Sequence, residues 1–456
     1  MIAYVLLRVY AVASVHQVWG DYPDSSTYRQ VLGGRPYVIV SLLGNGLRPW
    51  TAPLFFALFP SDGWRVAAQL AVSIAAWLAL AFTVFSELQR KVTRYLGLIL
   101  LLVVSCSFLV MSWDLIILSE SLALSMGAFL LASWIRFLSK PTYWNGASVA
   151  AFSVLWMFTR LQLVPLIAAS AMCCFLFALS RRARGIKLMV AVLLVAVTLW
   201  GSYAGSRQID AYAQRDGYNQ TYFSENFALQ LRFRILGDPS TLQWFRQHGM
   251  PEPQGLEPYV REGTIHDDDW PGFTDWYTRY RSNQDLVDWV NKEGSRVLIQ
   301  YTLSHLPAVA RSYADELPQI LTPPEDAMEY SKPPRILPAP FESLLSPTSE
   351  GSQASPVPFL VIVCIAVGIV KRRLPANKGL FIAGLFLLIF SLGGAFVSWW
   401  GAPVSYLRHG VPFVTFMMLG PIFMLLAWLD ESRVTGSVLV DDQQELPVGD
   451  SDVEPG

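Results

Sequence analysis

The run GLFIAGLFLLIFSLGGAFVS, residues 379–398, is twenty residues long and carries no charged side chain. At about 1.5 Å of rise per residue, a helix of that length covers the roughly 30 Å hydrocarbon core of a bilayer. Comparable apolar runs recur at about 2–19, 64–85, 95–112, 115–137, 145–159, 161–179, 188–205, 356–370 and 404–428. Read as spans, they predict an all-α polytopic membrane protein with about ten transmembrane helices. The composition agrees: 53% of residues are hydrophobic and 15% charged, where a soluble chain carries about 25% charged residues. A net charge of −1 provides no basic surface and excludes nucleic acid as a partner. Cys106, Cys173, Cys174 and Cys364 all fall inside apolar runs, which fits neither a disulfide framework nor a zinc site.

Residues 1–19 could form a signal peptide or an uncleaved first helix. No basic segment precedes the apolar stretch, which favours the helix, although it is short and contains Arg8 and His16. Orientation follows from the short loops. Arg90, Lys91 and Arg94 follow the second run, and Arg136 and Lys140 follow the fourth. Arg181, Arg182, Arg184 and Lys187 follow the sixth, and Lys371, Arg372, Arg373 and Lys378 follow the eighth. Every second loop is basic, which assigns these loops and both termini to the cytoplasm of a multi-pass cell membrane protein.

Four regions result. Residues 1–205 form an N-terminal transmembrane module, whose first outward loop, 20–63, holds two interface helices within 28–43 and 50–59. Residues 206–355 form a mainly helical extracytoplasmic domain, with helices predicted at 238–250, 283–303 and 305–321 and a Pro/Ser-rich loop over 322–358. Residues 356–429 return to the membrane. The acidic tail 430–456 lacks any apolar period and is predicted to be disordered in the cytoplasm.

Against this background a few polar residues stand out. Asp21 and Asp24 sit in Gly20-Asp-Tyr-Pro-Asp-Ser-Ser-Thr-Tyr28, directly after the first run. They are either acids facing water or, held by a turn against an apolar wall, a general base with a raised pKa. Tyr28 lies four residues after Asp24, so the two share a face of any helix starting there. Asp114 falls at the junction of the third and fourth runs, and Glu120 about a turn and a half further on. A carboxylate in a span usually faces a wet cavity or a partner, whereas one at a helix start is stabilised by the helix dipole. Arg160 interrupts an apolar run, either snorkelling to the interface or binding a phosphate through its guanidinium fork. Arg48 and Arg408, in Arg48-Pro-Trp50 and Tyr406-Leu-Arg-His409, raise the same question. The acids at 267–269 do not share a face and read as a solvated loop.

The acidic Asp24-Ser-Ser-Thr-Tyr28, the interface Arg48-Pro-Trp50, Ser119-Glu-Ser121, Thr159-Arg160 and Tyr406-Leu-Arg-His-Gly-Val-Pro412 together resemble the GT-C superfamily of polytopic glycosyltransferases. The likeness is to the bacterial mannosyltransferase and aminoarabinose-transferase-like branch, and covers most of residues 1–430. The first span is shorter than usual, and the acids are Asp-x-x-Asp rather than an adjacent pair, which leaves open whether Asp24 or Asp21 is the base.

The resemblance implies transfer of a sugar from a polyprenyl-phosphate donor at the outer face to a glycan, lipid or protein acceptor. Arg160, Arg408 and Arg48 would then hold the donor phosphate. Asp114, Glu120 and Tyr28 would either orient the acceptor or bind a divalent cation, Mg or Mn, and both roles stay open. The alternatives are a transporter or flippase of a lipid-linked precursor, for which the internal repeat usual in such folds is missing, and an accessory subunit that keeps the fold without activity.

Overall fold

The computed structural model describes residues 1–15, 25–29, 42, 48–179, 183–215, 227–256, 270–321, 335–345, 356–371, 375, 377–401 and 406–430. Among these, every regular element is helical. In chain order they are α1 (Ile2–Ala13), α2 (Ser25–Arg29), α3 (Thr51–Ala57), α4 (Asp62–Glu87), α5 (Lys91–Ser105), α6 (Phe108–Met111), α7 (Ser119–Ser139), α8 (Tyr143–Met157), α9 (Val164–Ala178) and α10 (Arg184–Arg215). There follow α11 (Pro239–Gln247), α12 (Trp270–Ser282), α13 (Gln284–Trp289), α14 (Ser295–Ser304), α15 (Leu306–Leu321), α16 (Ala339–Leu345), α17 (Pro356–Lys371), α18 (Lys378–Gly401) and α19 (Tyr406–Leu429).

Six helices are long and apolar enough to cross a membrane: Asp62–Glu87, Ser119–Ser139, Leu161–Ala178, Arg184–Gln208, Lys378–Gly401 and Gly410–Leu429. A seventh crossing results if Lys91–Ser105 and Phe108–Leu115 count as one span bent by 55°. The apolar runs at 2–19, 145–159 and 356–370 form helices of 12, 15 and 16 residues. These are shorter than the roughly 20 residues of an ordinary crossing.

The bend has a local cause. Ser107 is extended, with φ −68° and ψ 150°, so the helix that 95–112 suggests restarts at Phe108. The freed N–H of Phe108 donates to Glu342 Oε1 at 2.6 Å, a carboxylate favoured at a helix N-terminus by both the hydrogen bond and the dipole. Glu342 lies on α16, and is buried. The stretch 322–358 is therefore not loop throughout, because 339–345 folds into a helix that reaches this bend.

The two ends of the helix layer differ. At one end, the backbone N–H groups of Gln89 and Arg90 donate to Asp430 at 2.8–2.9 Å, and the Thr93 hydroxyl adds a bond of 2.6 Å. Asn377 Nδ2 donates to Glu87 O at 2.9 Å, and Gly379 lies against Ser139. The basic turns near Arg90, Lys140 and Lys378 thus gather at one end. Asp430, the first residue of the tail expected to be disordered, is instead buried there; residues 431–456 lie outside the described part.

The insert packs at the other end. Its own core is built from Phe227, Leu231, Phe245, Trp276, Tyr280 and Val290, among others. Tyr301 touches both this core and that of the membrane helices. Of its predicted helices, 238–250 corresponds to α11, 283–303 to α13 and α14 joined through a π-helical turn at Val290–Gly294, and 305–321 to α15. Asp238 starts α11 as its cap, accepting from the N–H groups of Ser240 and Thr241 at 3.0 and 3.3 Å. The interface helix expected within 50–59 is α3; of the one expected within 28–43, only Tyr28, Arg29 and Leu42 are described.

Apolar side chains contribute little net force between helices in lipid, so close backbone approach matters there. Where α18 meets α19, a Cβ on Gly384 would stand 2.6 Å from the Gly420 carbonyl oxygen, and one on Gly420 would stand 2.8 Å from that of Gly384. The pair crosses at two glycines because no larger residue fits.

Candidate active site

Four separate segments bring polar groups together at the insert end. The helix α8 stops at Met157, and Arg160 adopts an extended backbone with φ −154° and ψ 114°. A 3₁₀ turn at Leu161–Leu163 follows, and α9 begins with proline in its first turn. Proline tolerates that position because it needs no N–H partner there, and it ends whatever helix precedes it. The break is pinned from outside, where Thr51 N–H donates to Phe158 O at 3.2 Å and Trp50 packs on the Phe158 ring.

Arg160 is thereby aimed at the start of α7. Its Nη2 meets Glu120 Oε1 at 2.6 Å, and Nε donates to Ser119 Oγ at 3.2 Å. Glu120 is fully buried, and only 7% of Arg160 is exposed. Ionised groups in such a place are tolerable because each offsets the other's desolvation, and because Glu120 lies in the first turn of its helix. Tyr28 on α2 donates its hydroxyl to Ser119 Oγ at 3.2 Å. Arg48 lies 5.1 Å from the centre of the Tyr28 ring and donates from Nε to Thr27 Oγ1 at 2.9 Å. Tyr28, Arg48, Glu120 and Arg160 thus form one cluster around Ser119.

Asp114 belongs elsewhere. It sits in the 3₁₀ turn Ser112–Leu115 and forms a buried ion pair with Arg8 of α1. Ser121 Oγ donates to Asp114 Oδ1 at 2.5 Å, and Gln69 Nε2 donates to the Asp114 carbonyl at 2.5 Å and to that of Ile116 at 3.0 Å. Arg8 also donates to the Ser73 hydroxyl at 2.8 Å and to the Ser105 carbonyl. The two acids near the start of α7 therefore each pair with a different arginine. Among the described residues, no cluster of three or more His, Cys, Asp or Glu groups is placed to hold a metal ion.

Asp21 and Asp24 lie outside the described residues. The Arg408 backbone belongs to α19, but its side chain is outside the described part. Sequence reasoning missed Glu342, Gln69 and the pairing of Arg8. Arg8 was nonetheless visible as a charge inside a short apolar run, which in lipid calls for a partner.

Fold and site together define an all-helical, multi-span membrane protein with a polar cluster at the end of its bundle that carries the insert. Comparison of the chain with protein-family models, with curated proteins and with solved structures gave no match.

Proposed function

We propose that the chain is a cell-membrane glycosyltransferase on a GT-C-type scaffold, moving a sugar from a polyprenyl-phosphate donor to an acceptor at the extracytoplasmic face. The observation that carries this reading is the meeting of Tyr28, Arg48, Glu120 and Arg160, from four separate segments, at the insert end of the bundle. The basic turns gather at the opposite end, which the positive-inside rule assigns to the cytoplasm.

The chemistry suits that place. A lipid donor keeps its tail in the bilayer and its phosphate at interface depth, where Arg160, already fixed by Glu120 and Ser119, offers a preorganised cation. The acceptor hydroxyl attacks the anomeric carbon as the bond from that carbon to the phosphate oxygen breaks. Polyprenyl phosphate leaves with the bonding electrons, and the hydroxyl proton passes to a carboxylate. Asp24, next in sequence to the buried Ser25, is the base in this reading, with Asp21 as the alternative. A positioned base commonly contributes about 10²–10⁴-fold.

A transporter would need polar groups through the full depth of the bundle. Among the described residues, the buried charged pairs sit in the insert-side half. Towards the basic end, Thr83 and Ser133 hydrogen-bond to carbonyls of their own helices, at 2.7 and 2.9 Å. That distribution favours the transferase.

The test is an assay of membranes bearing the protein with a panel of labelled polyprenyl-phosphate sugars. Asp24→Asn is expected to insert normally and abolish transfer. Near-normal turnover would transfer the role to Asp21 or discard the mechanism.

A further inference from the structure

A cavity of about 260 Å³ lies where the insert meets the end of α18. Its walls come from the π-helical turn Leu231–Ile235, the starts of α11 and α15, the side of α14, and Trp399 and Trp400. This is well separated in sequence from the Glu120–Arg160 cluster, and the transfer chemistry above makes no use of it.

Its aromatic faces are held rigidly. Trp399 Nε1 donates to Glu316 Oε2 at 2.7 Å, and Arg234 Nη2 donates to the Trp399 carbonyl at 2.7 Å. Gln230 donates to the Trp400 carbonyl. The Arg234 guanidinium lies 4.0 Å from the centre of the Trp399 ring and 5.0 Å from that of Trp400. Tyr301 lies parallel to Trp400, with 7° between the ring planes, and its hydroxyl is 2.9 Å from Thr241 Oγ1. Trp400 and Tyr301 are half-buried, so each keeps part of its ring open.

The charges around these rings select among ligand classes. A quaternary or primary ammonium seeks the faces of tryptophan and tyrosine, but Arg234 already lies over both indoles and would repel it. An anion would meet Glu316 and Asp238, two carboxylates against the single guanidinium of Arg234. A purely apolar ligand would strand the polar groups of Gln230, Arg234, Ser312 and Glu316 away from water. A neutral polyhydroxylated ring avoids all three conflicts. Its C–H face can lie on the open part of the Trp400 ring while its hydroxyls bond to carboxylate, guanidinium and serine groups at the rim. The volume is below the roughly 300–1,000 Å³ of sites for drug-sized ligands, which suits one or two sugar rings.

We infer that this cavity is a carbohydrate subsite that takes a neutral saccharide. Its use as the acceptor subsite rests on the transferase reading, but saccharide binding does not, and the test reads binding without donor or turnover.

The full-length protein in lipid nanodiscs is examined by saturation-transfer NMR with maltose, lactose and a mannobiose, which between them offer glucose, galactose and mannose rings. Choline and inorganic phosphate serve as charged competitors. At least one disaccharide is expected to receive saturation, and neither competitor to reduce it. Trp400→Ala should weaken binding by about tenfold or more, Trp400→Phe should retain part of it, and Glu316→Gln should weaken it with the fold intact by thermal unfolding. Trp64→Ala, at an exposed tryptophan on α4, should change nothing. Absence of transfer to all three disaccharides, binding unaffected by Trp400→Ala, or displacement by choline would each overturn the assignment.

Discussion

The Arg160 guanidinium and the Glu120 carboxylate meet at 2.6 Å although they are 40 residues apart in sequence. Breaking a buried pair by removing one partner costs about 3–5 kcal/mol, because the remaining charge is left without compensation. Glu120→Gln is therefore expected to lower the unfolding temperature of the purified protein clearly. Pairing it with Arg160→Met should recover much of that loss without restoring transfer. If the double variant is no more stable than the single one, the pair is not the source of the cost.

Arg160→Lys retains the charge but loses the planar fork. With a polyprenyl-phosphate sugar as donor, a fall in kcat/KM of about ten- to a hundredfold is expected, mostly through KM for the donor. A change confined to the acceptor KM would take Arg160 out of phosphate binding.

The Arg8–Asp114 pair should behave differently. It ties α1 to the 3₁₀ turn between α6 and α7, and no part of the proposed chemistry passes through it. Asp114→Asn should reduce stability and the yield of folded protein. The fraction that folds should keep its donor and acceptor KM within about twofold, since Asp114 and Glu120 are held by different arginines. A large shift in either KM would place Asp114 back beside the substrate.

At the crossing of α18 and α19, Gly384→Val should force the helices apart. Overpacking of this kind costs about 1–3 kcal/mol, whereas Gly393→Ala, at a glycine with nothing within 4 Å of its Cβ position, should cost little. Thermal unfolding of the two variants side by side distinguishes steric exclusion from a general intolerance of larger residues in α18.

The start of α11 should loosen in acid. Burial tends to raise the Asp238 carboxyl, but hydrogen bonds from Thr241 and Ser240 outweigh it and hold the group below its ordinary value. A carboxyl lowered by folding stabilises the folded form above its ordinary pKa, about 3.9. That contribution is lost as pH falls through the depressed value. Amide exchange at Ser240 and Thr241 should rise below about pH 4, and Asp238→Asn should remove the pH dependence. Since the site is largely exposed, the effect belongs at the low end of the about 0.5–2 kcal/mol typical of caps.

Much of the helical plan was legible because hydropathy in lipid is a strong signal: the runs at 64–85 and 379–398 lie within long helices, as does the described part, 406–428, of the last run. The helix predicted at 238–250 is α11, which starts where Asp238 caps it. The bend at Ser107 was not legible, since the groups that satisfy it come from Glu342, more than two hundred residues later. Within the cluster, the intramembrane cost of charge singled out Glu120 as a residue facing a cavity or a partner, whereas Arg160 read as snorkelling or phosphate-binding and is instead paired with Glu120. Their mutual pairing, and the separate pairing of Asp114 with Arg8, depends on which helices are neighbours, and no local pattern encodes that.

The clasp at Asp430 ties the last helix to the first basic turn. A polypeptide emerging from the ribosome therefore leaves the amides of Gln89 and Arg90 without this partner until residue 430 has been synthesised. The turn between α4 and α5 must wait for α19 before this clasp can close. A premature stop within the last helix, before residue 430, would yield a product whose first basic turn is present yet never locked by this clasp, which membrane quality-control proteases are suited to find.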